Sequence, residues 1–409
     1  MLKNTDPKIE KLIWAEEGYQ NCTIDLIPSE NYCSREVREA MGSVLANKYS
    51  EGYPHARYYA GQVNIDQVEN VAQERALKMF KLSADKWHAN VQPYSGSPAN
   101  AAVYFALLNF GDKIMGMKLD QGGHITHGLP ISFSGRAYKI VSYGVDPKTE
   151  MLDYGEIEKI AQKEKPKMII CGATVYSRII DFKKFSQIAK KVGAYLLADV
   201  SHIAGLIVGG AHPSPFPYAD IVMTTTHKTL RGPRGAIIIC RKNLADKIDR
   251  AVFPGLQGGP HEHQIAAKAV CFGEAMDPEF KNYAKQIVKN AEALAKELQK
   301  NGLRIVTGGT DNHLMLVDLR GLKITGKEAQ AMLEDVGIIV NKNTIPYDPQ
   351  KPFIGSGIRL GTPAITTRGM KEKEMKIIAD LIVATLTKSQ SKDKIQKQVL
   401  KLCKKFPIS

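Results

Sequence analysis

The stretch Ile221-Val222-Met223-Thr224-Thr225-Thr226-His227-Lys228-Thr229 decides the fold. It opens as a short apolar run without polar alternation, the pattern of a strand covered on both faces. It closes on threonines, a histidine and a lysine, so the strand delivers polar groups to one of its ends. Strand-like runs lie at 113–117, 138–143, 167–173, 194–199, 219–224 and 235–240. Helix-period segments such as 155–164 and 182–192 separate them. Doubly buried strands alternating with helices predict an α/β domain with a mostly parallel sheet flanked by helices.

Outward from this block the texture changes. A helical pattern over 278–300 ends at Asn301-Gly302, a C-cap pair. Strand-like LRIVTG and HLMLVDL follow, then a helix at 326–336, strand-like GIIVNK, a Gly/Pro-rich loop and a last helix from about 369. This reads as a smaller α+β domain. The chain therefore divides into an arm at 1–30, a large domain at 31–275 and a small C-terminal domain at 276–409. A length of 409 residues exceeds one ordinary core and fits this division.

Composition narrows the function classes. Hydrophobic residues make up 44% and charged residues 24%, which is globular and excludes a disordered chain. The net charge of +14 favours anionic partners, but the lysines are scattered, not striped. The densest group, Lys388 to Lys405, is interrupted by Ile395, Val399 and Leu402, the spacing of an amphipathic surface helix. No basic strip interleaved with exposed aromatics is visible, so nucleic-acid binding is not expected. The six cysteines include no C-x-x-C pair, which argues against a zinc site or a disulfide framework, and no metal is expected. The N-terminus MLKNTDPKIEKLIWAEE has no apolar leader-like stretch. No run reaches the ~18 apolar residues of a membrane span. A cytoplasmic enzyme is the simplest expectation.

Three strand–helix junctions carry candidate chemistry. Ser95-Gly96-Ser97-Pro98 precedes the helical AAVYFALL. Exposed N–H groups at a helix start, with two hydroxyls and a glycine, suit a phosphate, although S-x-S is also a plain N-cap. Asp199 ends the apolar run Tyr195-Leu-Leu-Ala, where ligands bind in open α/β sheets. A carboxylate there can keep a pyridine nitrogen protonated; a structural ion pair is the alternative. Lys228 follows a buried strand, and a desolvated lysine gives up its proton, so its neutral amine can form an imine with an aldehyde. In this order the three features resemble the large pyridoxal-phosphate enzyme class built like aspartate aminotransferase. His124, in Gly122-Gly123-His124-Ile-Thr-His127, offers a flat face to stack on the ring. Arg359, in Ser356-Gly-Ile-Arg359-Leu-Gly-Thr, suits a bidentate grip on a substrate carboxylate.

Longer motifs narrow the class. Asn-Lys-Tyr49-Ser-Glu51-Gly-Tyr, Arg57-Tyr58-Tyr59, Asn90-Val-Gln-Pro-Tyr-Ser95-Gly-Ser, Thr-Thr-Thr-His227-Lys228-Thr-Leu-Arg-Gly-Pro-Arg, Phe253-Pro-Gly-Leu-Gln-Gly258-Gly-Pro and Thr310-Asp-Asn-His-Leu resemble serine hydroxymethyltransferase. The similarity runs from about residue 10 to 385. It implies a seven-stranded, mostly parallel sheet in the large domain and a homodimer with shared active sites. It implies pyridoxal 5'-phosphate as cofactor, tetrahydrofolate as co-substrate, and serine and glycine as the amino acids interconverted. By the same resemblance Lys228 bears the cofactor, Asp199 pairs with its ring nitrogen, His124 stacks, and Ser95, Gly96 and Ser97 hold the phosphate. Gly259 matches a phosphate contact from the second subunit, and Thr174 and His202 match partners of the phenolic oxygen. Ser29 and Arg359, with Tyr59, match substrate-binding positions. Tyr49, Glu51, Tyr58 and Tyr59 match residues lent by the neighbouring subunit. Glu51, Tyr49, Tyr59, Thr225 and His227 join Lys228 in the catalytic set. Glu51, Tyr58, Leu119, Gly123, His124, Ile125, Asn343 and Phe353 match folate contacts. A threonine aldolase, or a hydroxymethyltransferase for a substituted serine, would share Lys228 and Asp199; the Tyr49–Glu51 segment and the folate-like loop 341–353 speak against the aldolase.

Overall fold

The computed structural model describes residues 2–408. They form two compact units: Cys33–Lys285, and the chain up to Tyr32 together with the chain from Gln286 onward.

The unit Cys33–Lys285 is built on a seven-stranded sheet in the order Trp87–Asn90, Ala236–Arg241, Ile221–Thr225, Tyr195–Asp199, Met168–Cys171, Lys113–Met117, Lys139–Tyr143. The last five of these run parallel to one another, while Ala236–Arg241 runs antiparallel to both its neighbours. The doubly apolar pattern is explained by burial: every residue of Ile221–Thr225 and of Met168–Cys171 is buried. One face packs Ile114, Ile170, Leu197, Ile221, Met223 and Ile238 against Ala99, Ala102, Val103 and Tyr104 of the helix Gly96–Leu107. Each fully buried aliphatic side chain stabilises by about 1.5–3 kcal/mol relative to exposure, so this face fixes where that helix begins. The strand Trp87–Asn90 lies at the sheet edge and was absent from the sequence reading. Its four residues, WHAN, are too short and too polar for a periodicity signal.

Local signals set the helix ends. In Phe182–Val192 the Asp181 side chain accepts from Lys184 N at the start, and Gly193 closes the helix at φ 68°. A left-handed φ there favours glycine, which has no Cβ to clash.

The second unit carries an antiparallel sheet ordered Arg304–Ile305, Leu314–Asp318, Gly357–Gly361, Asn341–Asn343. The expected single strand GIIVNK is two: Ile338–Ile339 pairs in parallel with Ile24–Asp25, and Asn341–Asn343 pairs with Gly357–Gly361. The expected last helix is also two, Glu372–Leu386 and Lys392–Lys405. In the latter, Ile395, Val399, Leu402 and Cys403 are buried and the lysines point outward.

The first 32 residues group with the C-terminal part, not ahead of the large sheet. Backbone bonds explain it: Leu26 N donates to Ile339 O and Gly361 N donates to Leu26 O. The Arg368 guanidinium adds bonds to the carbonyls of Thr23 (2.7 Å), Cys403 (3.1 Å) and Phe406 (2.6 Å). The division near Lys285 lies inside the helix Pro278–Lys300, later than the expected 275. A unit boundary inside a continuous helix leaves no Gly/Pro break to read. Among the described residues, no helix is long and apolar enough to cross a membrane.

Candidate active site

Asp199 ends the strand Tyr195–Asp199 and is buried. Its Oδ2 accepts from Asn100 Nδ2 at 2.9 Å and from His127 Nε2 at 3.0 Å. Its Oδ1 accepts from Ser201 Oγ at 2.7 Å and Ser201 N at 3.2 Å. Burial alone would raise its pKa. The bond and field of His127, with the field of His124 and the Ser201 bond, override burial and hold the carboxyl well below the usual carboxylate range. Asp199 is therefore a fixed anion at the carboxyl edge of the parallel strands.

His124 lies at the start of a short turn beside this anion. Its Nδ1 bonds Thr126 Oγ1 at 2.7 Å, and Thr126 Oγ1 also accepts from Asn100 Nδ2 at 2.9 Å. Burial is the main cause that pulls the His124 pKa down to about 4; Asp199 opposes it, and the fields of His127 and Lys228 add to it. The ring is neutral at pH 7 and presents a flat apolar face. The preceding loop reaches Thr174, because Gly122 O accepts from Thr174 N at 2.7 Å and Val175 N at 3.1 Å. Gly122 sits at φ 115°, and a Cβ there would lie 2.3 Å from Val175 O, so only glycine permits this approach. Gly123 is buried, whereas Leu119 and Ile125 are exposed.

Lys228 is buried just beyond the strand Ile221–Thr225. Thr226 N donates to Gly235 O, and Thr226 Oγ1 donates to Pro233 O at 2.6 Å, which folds the loop back on itself. Thr229 Oγ1 donates to the His202 carbonyl at 3.0 Å, tying the segments of Lys228 and His202 together. His227 is pulled down to about 3 by burial, then by Arg234 and Lys228, and its Nδ1 has no hydrogen-bond partner among the described residues. Thr225 N donates to Ser201 Oγ at 3.2 Å, so the strand end of Lys228 and the anion Asp199 share Ser201.

The helix Gly96–Leu107 starts against this strand end. A Cβ on Gly96 would lie 2.9 Å from Thr225 Cγ2. Ser95 is the N-cap residue, yet its side chain makes no capping hydrogen bond. The plain N-cap reading of Ser95-Gly96-Ser97 is thereby disfavoured. The first N–H groups of the helix thus lack a side-chain cap, which is compatible with a helix start that receives an anion.

Tyr49, Tyr58 and Tyr59 are 56%, 76% and 47% exposed, unusual values for large aromatics. Tyr49 and Tyr59 meet edge to face at 5.1 Å, and Tyr49 Oη donates to Glu51 Oε1 at 3.4 Å. Gly258 and Gly259 join the same patch: Cβ atoms on them would stand 3.2 Å from Glu51 Oε1 and from the Tyr49 ring. Glu51, Tyr58, Phe253 and Gly258 line an open cavity of about 490 Å³.

In the other unit, Arg359 is buried on Gly357–Gly361 and its Nε donates to Asn341 Oδ1 at 3.1 Å. Burial lowers its pKa to about 10, so it stays a cation at pH 7. Asn343 lies on the neighbouring strand, and its Nδ2 donates to Thr344 O. Phe353 is exposed on the following loop and Ser29 is half-buried. Asp348 organises that loop by accepting from Ser356 Oγ at 2.6 Å, Gln350 N at 2.8 Å and Ile345 N at 3.0 Å.

Sequence reading missed Asn100, Ser201 and the role of His127. Asn100 had a usable signal, since it lies one helical turn past Gly96 and so shares its face. The ligand atoms of His124, His127 and Asp199 fall within 4.8 Å of one another, the spacing of a metal site. They are already committed to each other and to Thr126 and Asn100, which makes a hydrogen-bonded cluster the better account.

A helix start whose serine makes no cap, a neutral imidazole, a fixed carboxylate and a buried lysine are the kinds of group that pyridoxal phosphate requires. The family model of serine hydroxymethyltransferase matches residues 2–382. The chain belongs to the serine hydroxymethyltransferase family, pyridoxal-phosphate enzymes that work as oligomers and interconvert serine and glycine with tetrahydrofolate as one-carbon partner.

Proposed function

We propose that this activity is carried by a site in which Lys228 bears the cofactor and Asp199 faces its ring nitrogen. His124 stacks on the ring, and Ser95, Gly96 and Ser97 bind the phosphate. Thr174 and His202 face the phenolic oxygen, and the second subunit of a homodimer lends Gly259. The observation that carries the reading is the shared Ser201, which accepts from Thr225 N beside Lys228 and donates to Asp199. Pyridoxal phosphate bound there supplies the electron sink for the pair left on Cα when the Cα–Cβ bond of serine breaks.

The chain's own groups do the rest. Arg359 and Ser29 hold the substrate carboxylate, and the planar guanidinium fixes its orientation. The serine hydroxyl must lose a proton as its carbon leaves. Glu51 moves that proton between hydroxyl, folate nitrogen and water. Tyr49, Tyr59, Thr225 and His227 complete the catalytic set. Tyr58, Leu119, Gly123, Ile125, Asn343 and Phe353, with Glu51 and His124, receive the folate. A reducing cytoplasm suits the six cysteines, all of which are free.

The exposed Tyr49, Tyr58 and Tyr59, with the half-buried Glu51 among them, support a site shared between subunits. Mixing tests it. Chains with Lys228→Ala and chains with Glu51→Gln are allowed to exchange. In a mixed dimer one site collects both defects and the other collects none, so folate-dependent serine cleavage rises above the sum of the parents. No rise, with mixed dimers confirmed by mass, refutes sharing.

A further inference from the structure

Tyr94 stands between two features given separate duties above. It directly precedes Ser95 of the phosphate cup. Its Oη donates to the Gly259 carbonyl at 2.8 Å. Its backbone N donates to Gln257 Oε1 at 3.1 Å, and Gln257 Nε2 donates to Gln92 O at 3.0 Å. The Gln257 side chain is buried and bridges both sides of Pro93, while its own backbone N is bonded to Val252 O at 2.9 Å. The Tyr94 ring stacks on His261 at 4.3 Å with 11° between planes, which fixes the direction of its hydroxyl. The loop Gln257–Gly259 and the segment leading into Ser95 are therefore tied together by three hydrogen bonds. A Cβ on Gly258 or Gly259 of that loop would stand 3.2 Å from Glu51 or from the Tyr49 ring, so the loop lies beside both.

We propose that Tyr94 and Gln257 are positioning residues that latch each subunit's own phosphate cup to the Gly259 loop that it lends, so that cofactor seated in one site steadies the loop serving the other. This rests on the reading that Gly259 reaches the neighbour's phosphate. Cofactor phosphate held by Ser95 and Ser97 orders the segment through Tyr94. The two Gln257 bonds and the Tyr94 hydroxyl carry that order to Gly259. The consequence is reciprocal coupling between the two cofactor sites of a dimer.

The test uses mixed full-length dimers purified by two different tags. One chain carries Lys228→Ala, so the only lysine that borohydride can fix to the cofactor is on the wild-type chain. Labelling of that Lys228, read by mass against pyridoxal phosphate concentration, gives the affinity of one defined site. Tyr94→Phe keeps the ring stack and removes one hydrogen bond. Placed in the Lys228→Ala chain, it weakens cofactor binding at the other chain's Lys228 by about five-fold. Gly259→Val in the Lys228→Ala chain is the companion variant, and it weakens the same site if the loop is lent. If Gly259→Val acts across the dimer and Tyr94→Phe does not, the latch is overturned and the shared site stands. If Tyr94→Phe acts only from within the labelled chain, it serves its own cup and the latch is overturned. If neither acts across the dimer, the lent loop itself is wrong and the latch falls with it.

Discussion

Replacing Asp199 by asparagine isolates what the buried carboxylate does for the fold from what it does for the chemistry. The carboxylate accepts from Asn100, His127 and twice from Ser201. An amide of the same shape must turn its NH₂ toward one pair of donors. Facing Asn100 and His127, it meets two donors at once. Facing Ser201 is cheaper, because the hydroxyl can rotate to accept, but Ser201 N–H is left without an acceptor. One hydrogen bond to a charged group is lost, worth about 1.5–3 kcal/mol, and the others weaken by roughly half on losing the charge. Relief from burying a charge offsets part of this. The depressed Asp199 pKa says that the bonds outweigh burial in the native state. Cofactor-free Asp199→Asn should therefore lose about 3 kcal/mol in guanidinium unfolding at pH 7. Serine turnover should fall as well, since a neutral amide cannot stabilise a proton on the ring nitrogen. A stability loss below about 0.5 kcal/mol would refute the hydrogen-bonded anion, whatever happens to activity.

Lys228→Ala removes the amine that forms the imine, so folate-dependent serine cleavage should nearly stop; full turnover would refute the cofactor assignment. Arg359→Lys keeps the charge but loses the planar fork. Serine and glycine binding should weaken, by a few kcal/mol at most, and unchanged affinity would take Arg359 out of the substrate site. Asp25 is pushed up to about 8 by burial and by the neighbouring Glu30, against bonding to Ile27 N and the field of Arg368. A carboxyl raised in the folded state is stabilising while protonated and loses that contribution as pH rises from about 4 through 8. Asp25→Asn should thus gain stability over wild type with rising pH, by up to about 1.4 kcal/mol per pH unit in that window; equal gaps in melts at pH 5 and pH 8 would refute it.

The sheet was legible where burial on both faces wrote an apolar run, as at Ile221–Thr225. It was illegible at Trp87–Asn90, where an edge strand needs no such run. The GIIVNK stretch read as one strand because the switch of partners at Val340 leaves no mark in composition. The candidate site was legible wherever a residue type has a chemical use at a strand end or helix start: Asp199, Lys228, and the serines ahead of a helix. The groups that hold those residues were not, because Asn100 and Ser201 take their meaning from which oxygen they face. The grouping of the first 32 residues with the C-terminal part rests on backbone bonds such as Gly361 N to Leu26 O. No side-chain pattern announces such bonds. The long motifs carried the family because they collect many of these silent constraints at once.

The segment that carries Tyr49, Glu51, Tyr58 and Tyr59 has almost no core of its own, yet it must hold a defined shape. Its alternate members show how. Ser50, fully buried, donates to Glu262 Oε1 at 2.5 Å. The Arg57 guanidinium, with a side chain 3% exposed, bonds the carbonyls of Ser50 and Gly52, and pairs with Asp66 at 2.9 Å and Glu69 at 2.7 Å. Glu69 also accepts from Gln92 Nε2 at 2.9 Å, and Gln92 Nε2 donates to Gly52 O at 2.9 Å. Buried ion pairs are weak contributors to net stability, because desolvation consumes most of their attraction. Their value here is geometric. A set of directional bonds to backbone carbonyls admits one conformation, where an apolar contact would admit several. Inward residues are spent on this network so that the outward ones stand pre-organised, which lowers the ordering cost of meeting a partner. Gln92 is also the residue to which Gln257 bonds. The network that shapes the exposed segment and the latch at Tyr94 thus meet in one residue, Gln92, whose side chain serves the first and whose backbone carbonyl serves the second.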